Sequence, residues 1–158
     1  MIKNVIKIIA GVALAATLLP SCSKDHDDDN LNSQLTKGTD QRPSWTVPAD
    51  LYMRYEYTMS VEVIPQETLL SYLTDDDMMC ATVDGEIRAV STPHRNGGQT
   101  YFPLVIAGTS NSGAVSLSYY CARLSRIYTL NAWQPFNPGL APLQDDQPYV
   151  IHFITEQL

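Results

Sequence analysis

Between Tyr52 and Ile64 the chain alternates. Met53, Tyr55, Tyr57, Met59, Val61 and Val63 form one set, and Arg54, Glu56, Thr58, Ser60 and Glu62 form the other. Successive side chains of a strand point to opposite faces, so this pattern predicts a strand with one face buried and one in water. A wet face suits an antiparallel sheet, because parallel sheets are covered on both sides. This stretch constrains the fold more than any other.

The rest of the chain supplies short strands with turn signals between them. Pro65 stops the first strand. Leu69, Leu70 and Leu73 follow at helical spacing, as a turn or two of helix or a loop packed by its leucines. Asp75-Asp76-Asp77 suggests calcium, but the glycine and glutamate of an EF-hand loop are missing, and a solvated loop is the plainer reading. Strands are expected at Met78 to Val83 and Glu86 to Ser91. Asp84-Gly85 between them suits a type I′ turn, which needs positive φ at both central residues. Residues 92–98 read as a loop. Tyr101 to Ala107 reads as a strand that Pro103 confines to an edge or a bulge, since proline cannot donate to a ladder.

Ala114 to Ala122 alternates again, with Val115, Leu117, Tyr119 and Cys121 on one side. Residues 123–125 make a turn, Arg126 to Leu130 returns, and 131–148, with four prolines, reads as a long connection. Tyr149 to Ile154 is a last strand. The expectation is an all-β fold, a single antiparallel β-sandwich of immunoglobulin-like or jelly-roll outline, with a barrel as the alternative.

Of the 158 residues, the first 21 have the parts of an export signal: Lys3 and Lys7, then an apolar run from Ile8 to Leu19. The run is shorter than the roughly 20 residues a membrane helix needs. Residues 22–42 are acidic and polar and read as a disordered tether, and 43–158 as the sandwich domain. Trp45, the first large apolar residue after the tether, is expected to plug one end of the core. The chain's formal charge of −7 falls to −9 once the two leader lysines are removed. That balance carries no electrostatic footprint for nucleic acid. Cys80 and Cys121 both sit in apolar strand patterns, and read either as a disulfide or as two buried thiols.

Leu19-Pro20-Ser21-Cys22 resembles the lipobox of bacterial lipoproteins, although Pro20 stands where that family has a small residue. The resemblance implies cleavage before Cys22 and lipid on its sulfur and new amine. Several acyl chains hold a protein far more firmly than one. The tract Ser23-Lys24-Asp25-His26-Asp27-Asp28-Asp29 is similar to the surface-export signal of Bacteroidetes-type lipoproteins. It implies an outer-membrane protein on the cell surface.

In the body, the stretch from Asp77 to Val90, the segment Tyr101-Phe102-Pro103-Leu104, and Ser118-Tyr119-Tyr120-Cys121-Ala122-Arg123-Leu124 together resemble a small module of Bacteroidetes secreted proteins. Cys80 stands where that pattern has alanine and Ala89 where it has glycine. The resemblance implies a β-sandwich and assigns no chemistry to any residue.

No catalytic constellation is legible. Residues 108–113 do not form a nucleophile elbow, His94 falls in a loop and His152 in a strand, and Glu56 and Glu62 lie on a wet face. No metal-ligand spacing is present beyond His26 among aspartates, so neither metal nor cofactor is expected. Trp133 and Phe136 are the best candidates for ligand contact, because no strand pattern assigns them to a core, with Arg88, Arg123 or Arg126 as a polar rim. Trp133 folded back as a lid on the sandwich is the plainer reading. The chain is expected to be a non-catalytic surface lipoprotein that binds a glycan or an extracellular partner. The alternative is a structural subunit or adhesin that assembles by strand addition.

Overall fold

The computed structural model of the protein describes residues 41–155 and the backbone of 36–38. In chain order the elements are β1 (Thr36–Gly38), α1 (Leu51–Arg54), β2 (Tyr57–Pro65), α2 (Glu67–Leu70), β3 (Met78–Val83), β4 (Glu86–Ser91), β5 (His94–Asn96), β6 (Gln99–Gly108), β7 (Ala114–Cys121), β8 (Arg126–Pro135) and β9 (Tyr149–Ile151). They build an all-β sandwich. One sheet has five strands in the order β1-β8-β7-β3-β4, the other four in the order β5-β6-β2-β9. Neighbours pair antiparallel except β9, which runs parallel to β2 with Val63 beside Tyr149. Residues 1–21 and Cys22 lie outside the described residues.

Alternation decides the core. Met59, Val61 and Val63 of β2 meet Phe102, Leu104 and Ile106 of β6 on the inner face of the four-stranded sheet. The five-stranded sheet answers with Met79, Ala81, Val83, Val115, Leu117, Tyr119 and Cys121. Tyr119 packs on Phe102, Tyr128 and Phe153, with ring centroids 5.8, 6.2 and 6.0 Å away. Asp84 and Gly85 have φ of 52° and 78°, as their hairpin turn requires.

Four sequence expectations are corrected. Residues 51–54 coil into one helical turn, so β2 starts at Tyr57 rather than Tyr52. That turn buries Leu51 completely, a gain the alternating pattern does not reveal. Gly97 and Gly98, at φ 59° and 83°, close a two-residue turn that makes β5 a strand where a loop was expected. β8 continues to Pro135 and takes in Trp133. β1 lies within the segment expected to be a disordered tether, where it pairs with Arg126, Ile127 and Tyr128.

Of the two readings of Cys80 and Cys121, the disulfide is the one the structure overturns. Cys80 lies opposite Ser118 in the β3–β7 ladder, and Cys121 is three positions further along β7, on the other side of the sheet. Three residues span about 10 Å, beyond disulfide reach. Both cysteines are buried free thiols, Cys121 in the core and Cys80 on the outer face.

Pro103 sits in a strand that is interior by order, since β6 lies between β5 and β2. β5 ends opposite Tyr101, so beyond that point one side of β6 has no strand partner. Side chains close this edge instead. The Tyr52 hydroxyl donates to the Val105 carbonyl at 3.2 Å, and Arg88 Nη1 donates to that of Ala107 at 3.2 Å. By ladder alternation the Pro103 nitrogen, which has no hydrogen to offer, faces the same way.

Candidate binding surface

A two-sheet sandwich has two outer faces, and this one treats them differently. Residues 41–55 form a strap along the five-stranded sheet. At its start Arg42 Nε donates to Met78 Sδ at 3.2 Å, and the guanidinium lies 3.8 Å from Asp76. At its end Arg54 Nη2 meets Glu86 at 2.5 Å and the Tyr55 hydroxyl donates to the same carboxylate at 2.7 Å. Cys80 and Tyr120, whose side chains face outward from the same sheet, are buried. Trp45 lies half-buried on this strap and is not among the core residues.

A bulge in β4 supports the strap. Ala81 pairs with Ala89 and Thr82 with Ile87, so Arg88 is the extra residue. Bulges re-aim side chains. This one sends a nearly buried guanidinium beneath the Tyr55 ring, 3.7 Å from its centroid. Arg88 Nε is 3.1 Å from Glu86 Oε2, an ion pair whose N–H points off the carboxylate and makes no hydrogen bond. The Arg54 and Tyr55 hydrogen bonds hold the Glu86 carboxyl below its ordinary range, and the bond to Glu86 raises the Tyr55 phenol.

The four-stranded sheet meets this run at its β6 edge, where the Tyr52 hydroxyl reaches the Val105 carbonyl. Val105 and Val150 stand on its outer face, 45% and 51% exposed. Towards the far end a groove runs between α2, the β5–β6 hairpin and the chain around β9. It consists of two adjoining hollows, of 440 and 650 Å³, that share Ile64, Leu70 and Gln99. The smaller reaches Arg95 and Thr100, the larger Glu67, Gln147, Val150 and His152.

Local sequence explains each contribution. Pro65 ends β2, and the single turn of α2 puts Leu69 in the core and Leu70 on the groove. Gln147 closes a tight turn in which Gln144 and Gln147 exchange backbone hydrogen bonds of 2.8 and 2.9 Å, with Asp145 and Asp146 at φ 50° and 60°. Gln99 Nε2 donates to Gln147 Oε1 at 2.9 Å across the groove. The Gln66 amide clamps the backbone of Phe153, donating to its carbonyl at 2.7 Å and accepting its N–H at 2.6 Å. That clamp holds His152 at the rim. Arg95 is tied to Asp75 at 2.6 Å.

The residues singled out from sequence do not line this groove and do not form one site. Phe136 belongs to the core, where a Cβ on Gly108 would come within 2.7 Å of its ring, so it is no platform. Trp133 is half-buried, edge-on to Tyr149 at 5.7 Å, which is the lid arrangement. Arg126 begins β8 and Trp133 lies roughly 20 Å along it. Leu70, Gln99, Gln147 and His152 were missed. One signal was available: of two adjacent leucines on a one-turn helix, only one can face the core. Among the described residues no group of His, Cys, Asp or Glu is placed to hold a metal ion, and no helix is long and apolar enough to cross a membrane.

Compared with known proteins, the chain matches no family model, no curated protein and no solved structure.

Proposed function

We propose that this is a non-catalytic lipoprotein, anchored in the outer membrane through lipid on Cys22 and displayed on the cell surface. Its sandwich binds a glycan or an extracellular partner on the outer face of the four-stranded sheet. The observation that carries the reading is the contrast between the two outer faces. On one, the outward-facing Cys80 and Tyr120 are buried; the other bears exposed Val105, Val150 and Leu70 and a groove. Exposed apolar surface edged by polar side chains is the usual mark of an interaction site. Assembly by strand addition at Pro103 is disfavoured by the side chains that close that edge.

The test is photo-crosslinking on intact cells. A diazirine side chain placed at Val105 is expected to give adducts with surface glycan or protein, and one placed at Ala114 on the other sheet none. Equal yields from both positions would sink the reading. Failure of palmitate to label the Cys22→Ala chain, with labelling of the native one, is the expected result for the anchor.

A further inference from the structure

We infer that the groove between α2, the β5–β6 hairpin and β9 is a subsite for an uncharged saccharide. This deepens the proposed function and rests on it. Three observations select the ligand class.

The first is size. Hollows of 440 and 650 Å³ joined through Ile64, Leu70 and Gln99 lie in the volume range of small-ligand sites.

The second is the kind of lining. An apolar strip of Ile64, Leu70 and Val150 is flanked by Glu67, Gln99, Gln147 and His152. A sugar ring has apolar C–H faces and a belt of hydroxyls that both donate and accept. Planar amide and carboxylate groups beside an aliphatic strip complement both parts. The bond between Gln99 and Gln147 uses one donor and one acceptor. Each amide group keeps its other end for a hydroxyl, and the pair is held in place before the ligand arrives, which lowers the ordering cost of binding.

The third is charge. Among the described residues that line the groove the one guanidinium, that of Arg95, is already engaged by Asp75. Glu67 lies in the lining, and Asp145 and Asp146 stand in the turn that carries Gln147. A sulfated or carboxylated sugar would meet this excess of acids, whereas an uncharged one would not.

The experiment titrates the protein lacking residues 1–21 with fragments of mannan, xylan, galactan and starch, with heparin as the acidic probe, by calorimetry. One neutral fragment is expected to bind and heparin is not. Gln147→Ala and Gln99→Ala should each weaken that binding about tenfold, the loss of one well-placed hydrogen bond. Asn111→Ala, in the exposed turn between β6 and β7, should leave it unchanged. Both glutamines are surface residues, and an unchanged melting midpoint shows that the variants are folded. Preference for heparin, binding indifferent to both glutamine variants, or no binding to any fragment would each overturn the inference. Crosslinking at Val105 that persists alongside any of those results leaves the binding function standing and removes only the saccharide subsite. Adducts confined to protein would assign the face to a polypeptide partner instead.

Discussion

Asp77 has no exposed surface, and three donors make a buried carboxylate tolerable there. The Tyr119 hydroxyl donates to it at 2.5 Å, the Ala122 N–H at 2.9 Å and the Thr74 hydroxyl at 2.9 Å. It thereby joins the loop before β3 to the turn after β7. Burial first, and then Asp77, push the Tyr119 phenol far above its ordinary value, so it stays a neutral donor. Asp77→Ala orphans three donors and is expected to cost about 3 kcal/mol. Urea denaturation reads this directly, and a loss below about 1 kcal/mol would mean that water replaces the carboxylate. Glu86 gives a pH-dependent counterpart. Its folded pKa is lowered by Arg54 and then Tyr55. A depressed carboxylate contributes stability above its unfolded pKa, about 4.3, and loses it as the pH falls through the lower folded value. Glu86→Gln cannot titrate. Native protein should therefore melt above the variant at neutral pH, and the gap should close below about pH 4. A gap that persists in acid would show that the glutamine harms packing rather than charge.

At the scale of elements, side-chain parity does the sorting. Cys80 and Cys121 sit on neighbouring strands, yet one faces outward and the other the core. Burial pushes the Cys80 thiol up to about 12 and raises Cys121 as well. A reductant should therefore leave the unfolding midpoint unchanged, and a thiol reagent should modify Cys80 and Cys121 only after denaturation. A reductant-sensitive midpoint would require a bridge that this register forbids. Parity also explains what could be read in advance. The alternation of residues 59–63 and 115–121 and the Asp84-Gly85 turn are local signals, and the strands they imply are present. The failures are where a distant contact wins. Residues 51–54 coil because Leu51 is buried and Arg54 and Tyr55 reach Glu86. Trp133 reads as a loop residue because of the irregularity beside it. Ala132 sits at φ 49°, its N–H donating to Ser116 Oγ at 3.0 Å, while β7 and β8 shift register. No local pattern marks an alanine for that conformation. The groove was illegible for a related reason. Leu70, Gln99 and Gln147 come from elements far apart in sequence, and only the packing of α2, the β5–β6 hairpin and the 144–147 turn brings them together.

At the scale of the whole molecule, β1 bears on where the sandwich begins. Residues 22–42 are polar enough to read as tether, yet Thr36–Gly38 form the outermost strand of the five-stranded sheet. Backbone pairing needs no apolar side chains, which is why hydropathy misses it. Without β1, Arg126 to Tyr128 of β8 would present open N–H and C=O groups, a template for association between copies. Two chains distinguish the boundaries: one starting at Leu31, the other at Pro43. The longer is expected to stay monomeric in sedimentation and to melt higher by a few degrees, which for a domain this size is about 1 kcal/mol. The shorter should self-associate as its concentration rises, with the β1-facing amides of the Arg126–Tyr128 stretch losing protection in hydrogen exchange while those facing β7 keep it. Equal melting and equal sedimentation would return the domain boundary to residue 43 and make β1 an accessory of the tether. The outcome also bears on the proposed anchor, because pairing of β1 with β8 limits how far a lipidated Cys22 could stand from the sandwich. Fourteen links separate Cys22 from Thr36, at most about 50 Å of extended chain. A boundary at residue 43 would lengthen that reach by half.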